Sequence, residues 1–75
     1  MSIEQGTVIY VKLVNEVVDV WRPVQAIQIN ENRYKLVEEQ SVPEDEDWEF
    51  APGEVVEVTT RSFEGGMRKI ASRKI

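Results

Sequence analysis

The chain has 75 residues, a net charge of -5, and neither cysteine nor histidine. This length allows one domain with a small core, and the composition excludes disulfides, thiolate metal ligands and imidazole bases. No apolar run approaches the roughly 20 residues of a membrane helix, and the N-terminus shows no signal-peptide pattern. We therefore expect a single cytoplasmic domain, residues 1–75, with no membrane association, no cofactor and no metal ion.

The charge is unevenly distributed along the sequence. Residues 1–37 are neutral, residues 38–57 contain nine acids and no base, and residues 58–75 contain five bases and one acid. The acidic segment would repel a polyanion such as DNA. The distribution therefore disfavours nucleic acid as a partner, while the basic C-terminal segment keeps it as an alternative.

Apolar residues alternate with polar ones along most of the chain, which is the pattern of half-buried β-strands. A turn between the second and third strands is predicted by the NEN sequence, and Pro52-Gly53 predicts another turn before the fourth. Gly65 and Gly66 can both take the left-handed conformations of a tight hairpin between the last two strands. The predicted strands are, in chain order, residues 7–13, 19–29, 33–37, 55–63 and 67–75.

Five short antiparallel strands are too few for a two-layer sandwich of usual size. Closing them into a barrel removes most exposed strand edges. We therefore predict an all-β fold, a small five-stranded antiparallel SH3-like barrel. An OB-like barrel is the alternative, although it usually has longer strands and often a helix, and no segment here has helical periodicity.

The stretch DVWRPVQAI, residues 19–27, interrupts the pattern of the second strand. Proline cannot donate a hydrogen bond to a strand ladder, so Pro23 predicts a bulge that bends this long strand. Arg22 shares a strand face with valines and an alanine, and a cation among apolar neighbours should be paired or stacked. We predict that a carboxylate from residues 44–47 and the ring of Trp48 hold it.

The second unusual stretch is PEDEDWEF, residues 43–50, which we call the acidic loop. Its four consecutive carboxylates do not follow the alternating acids and central glycine of a calcium loop. We predict a solvated loop. Trp48 and Phe50 alternate, so they should present one aromatic face that covers an open end of the barrel.

The sequence does not support an enzyme. It has no Cys or His nucleophile or base and no glycine-rich loop before a helix, and its clustered carboxylates lie in a loop where pKa tuning is hard. SH3-type domains bind proline-rich ligands through aromatic grooves beside acidic loops, and those ingredients are present. We nevertheless predict that most of these rings fill the core, because a core this small needs each large side chain it has. The aromatic residues concerned are Tyr10, Trp21, Tyr34, Trp48, Phe50 and Phe63.

The motifs DVWRPV at 19–24 and EDEDWEFAPGEVVEV at 44–58 resemble those of a group of short, mostly uncharacterised bacterial proteins. That group shares V-D-V-W-R-P-V followed by D-E-x-W-x-F-x-P-G-x-x-V, and the resemblance covers nearly the whole chain. It implies a single domain and carries over no activity and no site. It also implies a common framework role for Trp21, Arg22, Pro23, Trp48, Phe50, Pro52 and Gly53.

Three functions are open at this point, and the oligomeric state is open as well. The first is a small non-enzymatic module that binds another protein, because Trp and Arg are frequent in interfaces. The second is an acidic inhibitor or immunity-type protein that blocks a basic partner with residues 38–57. The third is a nucleic-acid accessory domain that uses Arg61, Arg68, Lys69, Arg73 and Lys74. The candidate binding residues of the first are Trp21, Arg22, Asp45, Asp47 and Trp48.

Overall fold

The computed structural model describes residues 6–75, which form five β-strands and no helix. The strands are β1 (Thr7–Lys12), β2 (Trp21–Gln28), β3 (Arg33–Leu36), β4 (Val55–Phe63) and β5 (Gly66–Lys74). All five predicted strands are confirmed, with ends shifted by no more than two residues. Nothing in the described part of the chain is a helix that could cross a membrane.

The five strands form a closed barrel, in which they are arranged in the order of the sequence. Consecutive strands are antiparallel, and β1 meets β5 in parallel where Tyr10 lies opposite Ile70. The parallel seam follows from the odd number of strands, because strands of alternating direction leave the first and the fifth pointing the same way. The predicted all-β fold is confirmed as a small closed barrel of the SH3-like or OB-like kind.

The core consists of the inward-facing positions of the five strands. Successive side chains of a strand point to opposite faces, so Ile9 is fully buried while Val8 beside it is exposed. Phe50 joins this cluster from the connection between β3 and β4, and Trp48 packs against it. Both rings therefore contact the core, while their predicted position over an open end of the barrel stays a prediction. The core cluster contains Ile9, Val11, Val24, Ala26, Tyr34, Leu36, Phe50, Val56, Val58 and Ala71.

The predicted bulge at Pro23 is wrong. Pro23 lies opposite Tyr10 in an uninterrupted register between β1 and β2. Alternation along β2 turns the nitrogen of Pro23 away from β1, and β3 pairs with β2 only from Ala26 onward. No ladder bond is lost, because the missing N–H would point where no strand is paired. The register shift lies between β4 and β5 instead, at Glu57 and Val58.

The turn before β4 depends on the backbone conformation of Gly53. Its φ is +92°, and an added Cβ would lie 3.1 Å from Cγ of Glu38. We expect Gly53→Ala to lower the free energy of unfolding by about 1–2 kcal/mol, measured by urea denaturation. Gly65→Ala is the control, because among the hairpin glycines Gly66, not Gly65, has a positive φ. Its expected cost is below about 0.5 kcal/mol, and equal costs for the two substitutions would contradict the strain at Gly53.

Candidate functional site

Arg22, Glu46 and Trp48 form a hydrogen-bonded group between β2 and the acidic loop. Arg22 Nε donates to Glu46 Oε1 at 2.9 Å, and Arg22 Nη2 donates to Glu46 Oε2. Glu46 Oε1 also accepts a hydrogen bond from Trp48 Nε1 at 3.0 Å. The Glu46 side chain is 10% exposed, whereas that of Arg22 is 43% exposed. One nearly buried carboxylate therefore fixes the acidic loop to the barrel.

This group shows how Arg22, a cation on a strand face with apolar residues, is paired. The predicted pairing of Arg22 with a carboxylate of residues 44–47 is confirmed. The predicted stacking of Arg22 on the Trp48 ring does not occur in the described chain. Trp48 acts through its indole N–H, which donates to the same carboxylate.

The other acids of the loop have separate surroundings. Asp47 is exposed, and its side chain accepts a hydrogen bond from Asn15 Nδ2 at 2.8 Å. Asp45 is exposed, and its side chain accepts no hydrogen bond from any of residues 6–75. Across the described residues, no three acids converge to hold a metal ion. Apart from Glu46, the acids of the acidic loop are exposed to solvent, as predicted.

Trp21 lies on the outer face of the barrel, away from Arg22. Its ring centroid is 5.8 Å from that of Phe63 in an edge-to-face arrangement, and Phe63 is 6.5 Å from Tyr10. All three residues are partly exposed and lie outside the core cluster, so the prediction of a core role is wrong for them. Strand alternation explains their position, because Tyr10 stands between the buried residues Ile9 and Val11. The long β4–β5 hairpin brings Phe63 across to β1 and β2.

Two arginines stack on these rings. The Cζ atom of Arg61 lies 5.5 Å from the Trp21 ring centroid and 5.6 Å from that of Phe63. The Cζ atom of Arg68 lies 5.0 Å from the Tyr10 ring centroid and 5.7 Å from that of Phe63. These contacts are attractive because the face of an aromatic ring is electronegative. We call this set of five residues, namely Tyr10, Trp21, Arg61, Phe63 and Arg68, the outer arginine–aromatic surface.

The two arginines are directly opposite each other in the β4–β5 ladder. Like charges in that position repel, and within residues 6–75 neither guanidinium forms an ion pair with a carboxylate. The rings offset part of this repulsion but leave the guanidinium N–H groups available. An anion placed between Arg61 and Arg68 would relieve it and satisfy those donors.

The remaining basic residues of the C-terminal segment are engaged within the barrel. Arg73 Nε contacts Glu57 Oε1 at 2.6 Å, and Lys74 Nζ lies 3.3 Å from Glu54 Oε2. Lys69 Nζ donates to the Tyr34 hydroxyl at 3.0 Å. The predicted basic set is thus divided. Three members contact groups of the protein, and Arg61 and Arg68 have no carboxylate partner within residues 6–75.

Two parts of this arrangement were not singled out from the sequence. Glu46 was one of four consecutive acids, and a loop has no periodicity that selects one of them. The outer arginine–aromatic surface did leave a signal in the sequence, because Tyr10, Trp21 and Phe63 all occupy outward positions of strands in which inward and outward side chains alternate.

Comparisons with protein-family models, with curated proteins and with solved structures found no match.

Proposed function

We propose that this protein is a small non-enzymatic interaction module that binds an acidic segment of another protein through the outer arginine–aromatic surface. The proposal rests on Arg61 and Arg68, whose opposed guanidinium groups lie on partly exposed rings and have no carboxylate partner in the described chain. The planar guanidinium fork matches the two oxygens of a carboxylate. Arg, Trp and Tyr are also the residue types that contribute most binding energy at protein interfaces.

The proposal divides the residues first considered for binding. Trp21 is part of the proposed surface, where it supports Arg61. Arg22 and Trp48 contact Glu46, so we assign them to the framework that holds the acidic loop. Asp45 and Asp47 remain exposed on that loop. In this proposal the exposed acids keep other acidic molecules away from the rest of the surface.

Nucleic-acid binding is the second candidate, and one observation favours it. Arginines and aromatic rings side by side also form the platforms on which single-stranded nucleic acids stack. Against it, three of the five C-terminal bases are engaged with groups of the protein, and residues 38–57 contain nine acids. A long phosphate backbone needs several free cations along its path. A short acidic peptide needs only two, so it fits the surface better.

We expect peptides selected from a random display library on the immobilised protein to be enriched in Asp and Glu. The double variant Arg61→Gln, Arg68→Gln should weaken binding of a selected peptide by at least about tenfold, because hydrogen bonds between charged groups are lost. Fluorescence polarisation measures the change in Kd. Arg73→Gln is the matched control, since it removes the same charge from a residue already paired with Glu57.

Two results would contradict the proposal. One is selected peptides with no acidic enrichment, and the other is equal binding by the double variant and by Arg73→Gln. If a short oligothymidylate binds more tightly than the peptides at physiological salt, the surface binds single-stranded nucleic acid and the second candidate function replaces the first.

A further inference from the structure

We infer that the acidic partner binds as an extended segment, which adds to the barrel as a new strand beside the free half of β4. This inference rests on the proposed function, because it describes how a partner would reach Arg61. It concerns main-chain groups that the outer arginine–aromatic surface does not include. The relevant segment is Thr59–Phe63, the second half of β4.

The second half of β4 has a strand on one side only. β3 pairs with β4 at Val55–Glu57, and the N–H of Val58 donates to the carbonyl of Asn32 at 2.7 Å. Beyond Val58, pairing of β4 continues with β5 alone, through Phe63 opposite Gly66. No other strand of residues 6–75 pairs with the opposite edge of this half.

Strand alternation identifies the backbone groups on the free edge. The N–H of Val58 points towards the β3 side, whereas the carbonyl of Val55 points towards β5 and accepts from Ile75 N at 3.0 Å. Main-chain groups of an antiparallel strand point alternately to its two neighbours. Thr60 and Ser62, which follow Val58 at intervals of two, therefore direct their N–H and C=O groups away from β5. These four groups are available to a partner strand.

The free edge has the properties of a template for strand addition. Thr59, Thr60, Arg61 and Ser62 are all exposed, and threonine favours extended structure. Sheet edges are usually protected by proline, charged side chains or a covering loop, and this segment contains no proline and one charged residue, Arg61. Extended peptides bind such edges through main-chain hydrogen bonds, while side chains supply the specificity. The free edge therefore has the chemistry that an extended peptide needs.

Charge selects an acidic peptide as the occupant. A strand beside β4 would place one of its outward side chains directly opposite Arg61, where an acid forms a favourable cross-strand pair. A second copy of this chain aligned with Arg61 opposite Arg61 would instead add repulsion to the pair already formed with Arg68. The surface therefore fits an acidic segment of alternating pattern better than its own copy.

Hydrogen exchange of individual amides, followed by NMR, tests the inference on the unmodified protein. Without peptide, the amides of Thr60 and Ser62 should exchange fast, and those of Arg61 and Phe63 slowly, because only the latter bond to β5. A saturating amount of a library-selected acidic peptide should slow Thr60 and Ser62 by at least about tenfold. Unchanged exchange at these two amides in the bound state would overturn strand addition.

A pair of variants at one position provides a second test. Thr60→Pro removes an N–H that points away from β5, so the β4–β5 ladder should survive, as proline is tolerated on strand edges. We expect it to weaken peptide binding by at least about tenfold, while Thr60→Val, which keeps the N–H, stays within about twofold. The slow amides of Arg61 and Phe63 report whether the hairpin remains folded in each variant.

The outcomes separate this inference from the proposed function. If Arg61→Gln, Arg68→Gln weakens binding but Thr60→Pro does not, the acidic partner stands and strand addition is overturned. If only Thr60→Pro weakens binding, the edge is used and the charge-based function is wrong. If protection of Thr60 and Ser62 rises with protein concentration in the absence of peptide, the occupant is a second copy and the inference is overturned.

Discussion

Phe50→Ala is expected to remove most of the stability of this protein. Phe50 is 7% exposed and belongs to the core cluster, yet it comes from the connection between β3 and β4 and not from a strand. Truncating a buried Phe costs about 3–5 kcal/mol, because it removes packing and leaves a cavity. The free energy of unfolding of a domain this small is on the order of 5 kcal/mol. The variant should therefore be largely unfolded near body temperature.

Urea denaturation followed by tryptophan fluorescence measures this loss. Val42→Ala is the matched control, because Val42 lies in the same connection and is 37% exposed, and it should cost less than about 0.5 kcal/mol. Phe50→Leu, which keeps an apolar side chain, should cost about 1–1.5 kcal/mol. If Phe50→Ala and Val42→Ala cost the same, the connection does not depend on Phe50 as its apolar anchor.

Glu46→Ala should produce the second largest loss, about 2–3 kcal/mol. The substitution leaves the Arg22 guanidinium and the Trp48 indole N–H without their shared acceptor. A fully buried ion pair would lose more when one partner is removed, but Arg22 is half exposed and water partly replaces the carboxylate. Arg22→Ala should cost about 2 kcal/mol, through lost packing of its stem as well as lost pairing.

A double-mutant cycle between Arg22 and Glu46 isolates the interaction itself. The two losses should overlap, so the double variant should be less destabilised than the sum by about 1–2 kcal/mol. Asp45→Ala, which changes the neighbouring exposed acid, should stay within about 0.5 kcal/mol of the unsubstituted protein. Additive losses in the cycle would show that the carboxylate and the guanidinium do not stabilise each other.

The sequence by itself determined which segments are strands and which side chains face inward. Strand alternation in TVIYVKL required Ile9 and Val11 to share a face, and the same rule placed Trp21 and Arg22 on opposite faces. Burial of one face fixes this choice locally, since a shift of one residue would expose every apolar side chain. Sequence reasoning also showed correctly that Arg22 needed a carboxylate partner, because of the cost of an unpaired charge beside apolar residues.

Only the tertiary structure decided which groups meet. Glu46 rather than Asp45 or Asp47 pairs with Arg22, because the path of an aperiodic loop depends on where Trp48 and Phe50 pack. Tyr10 and Phe63 are far apart in the sequence and come together because the fifth strand closes on the first. Pro23 causes no bulge, because the short β3 leaves its nitrogen without a neighbouring strand. Strand faces follow from local alternation, whereas loop contacts, the barrel seam and free edges depend on how the strands are placed around the barrel.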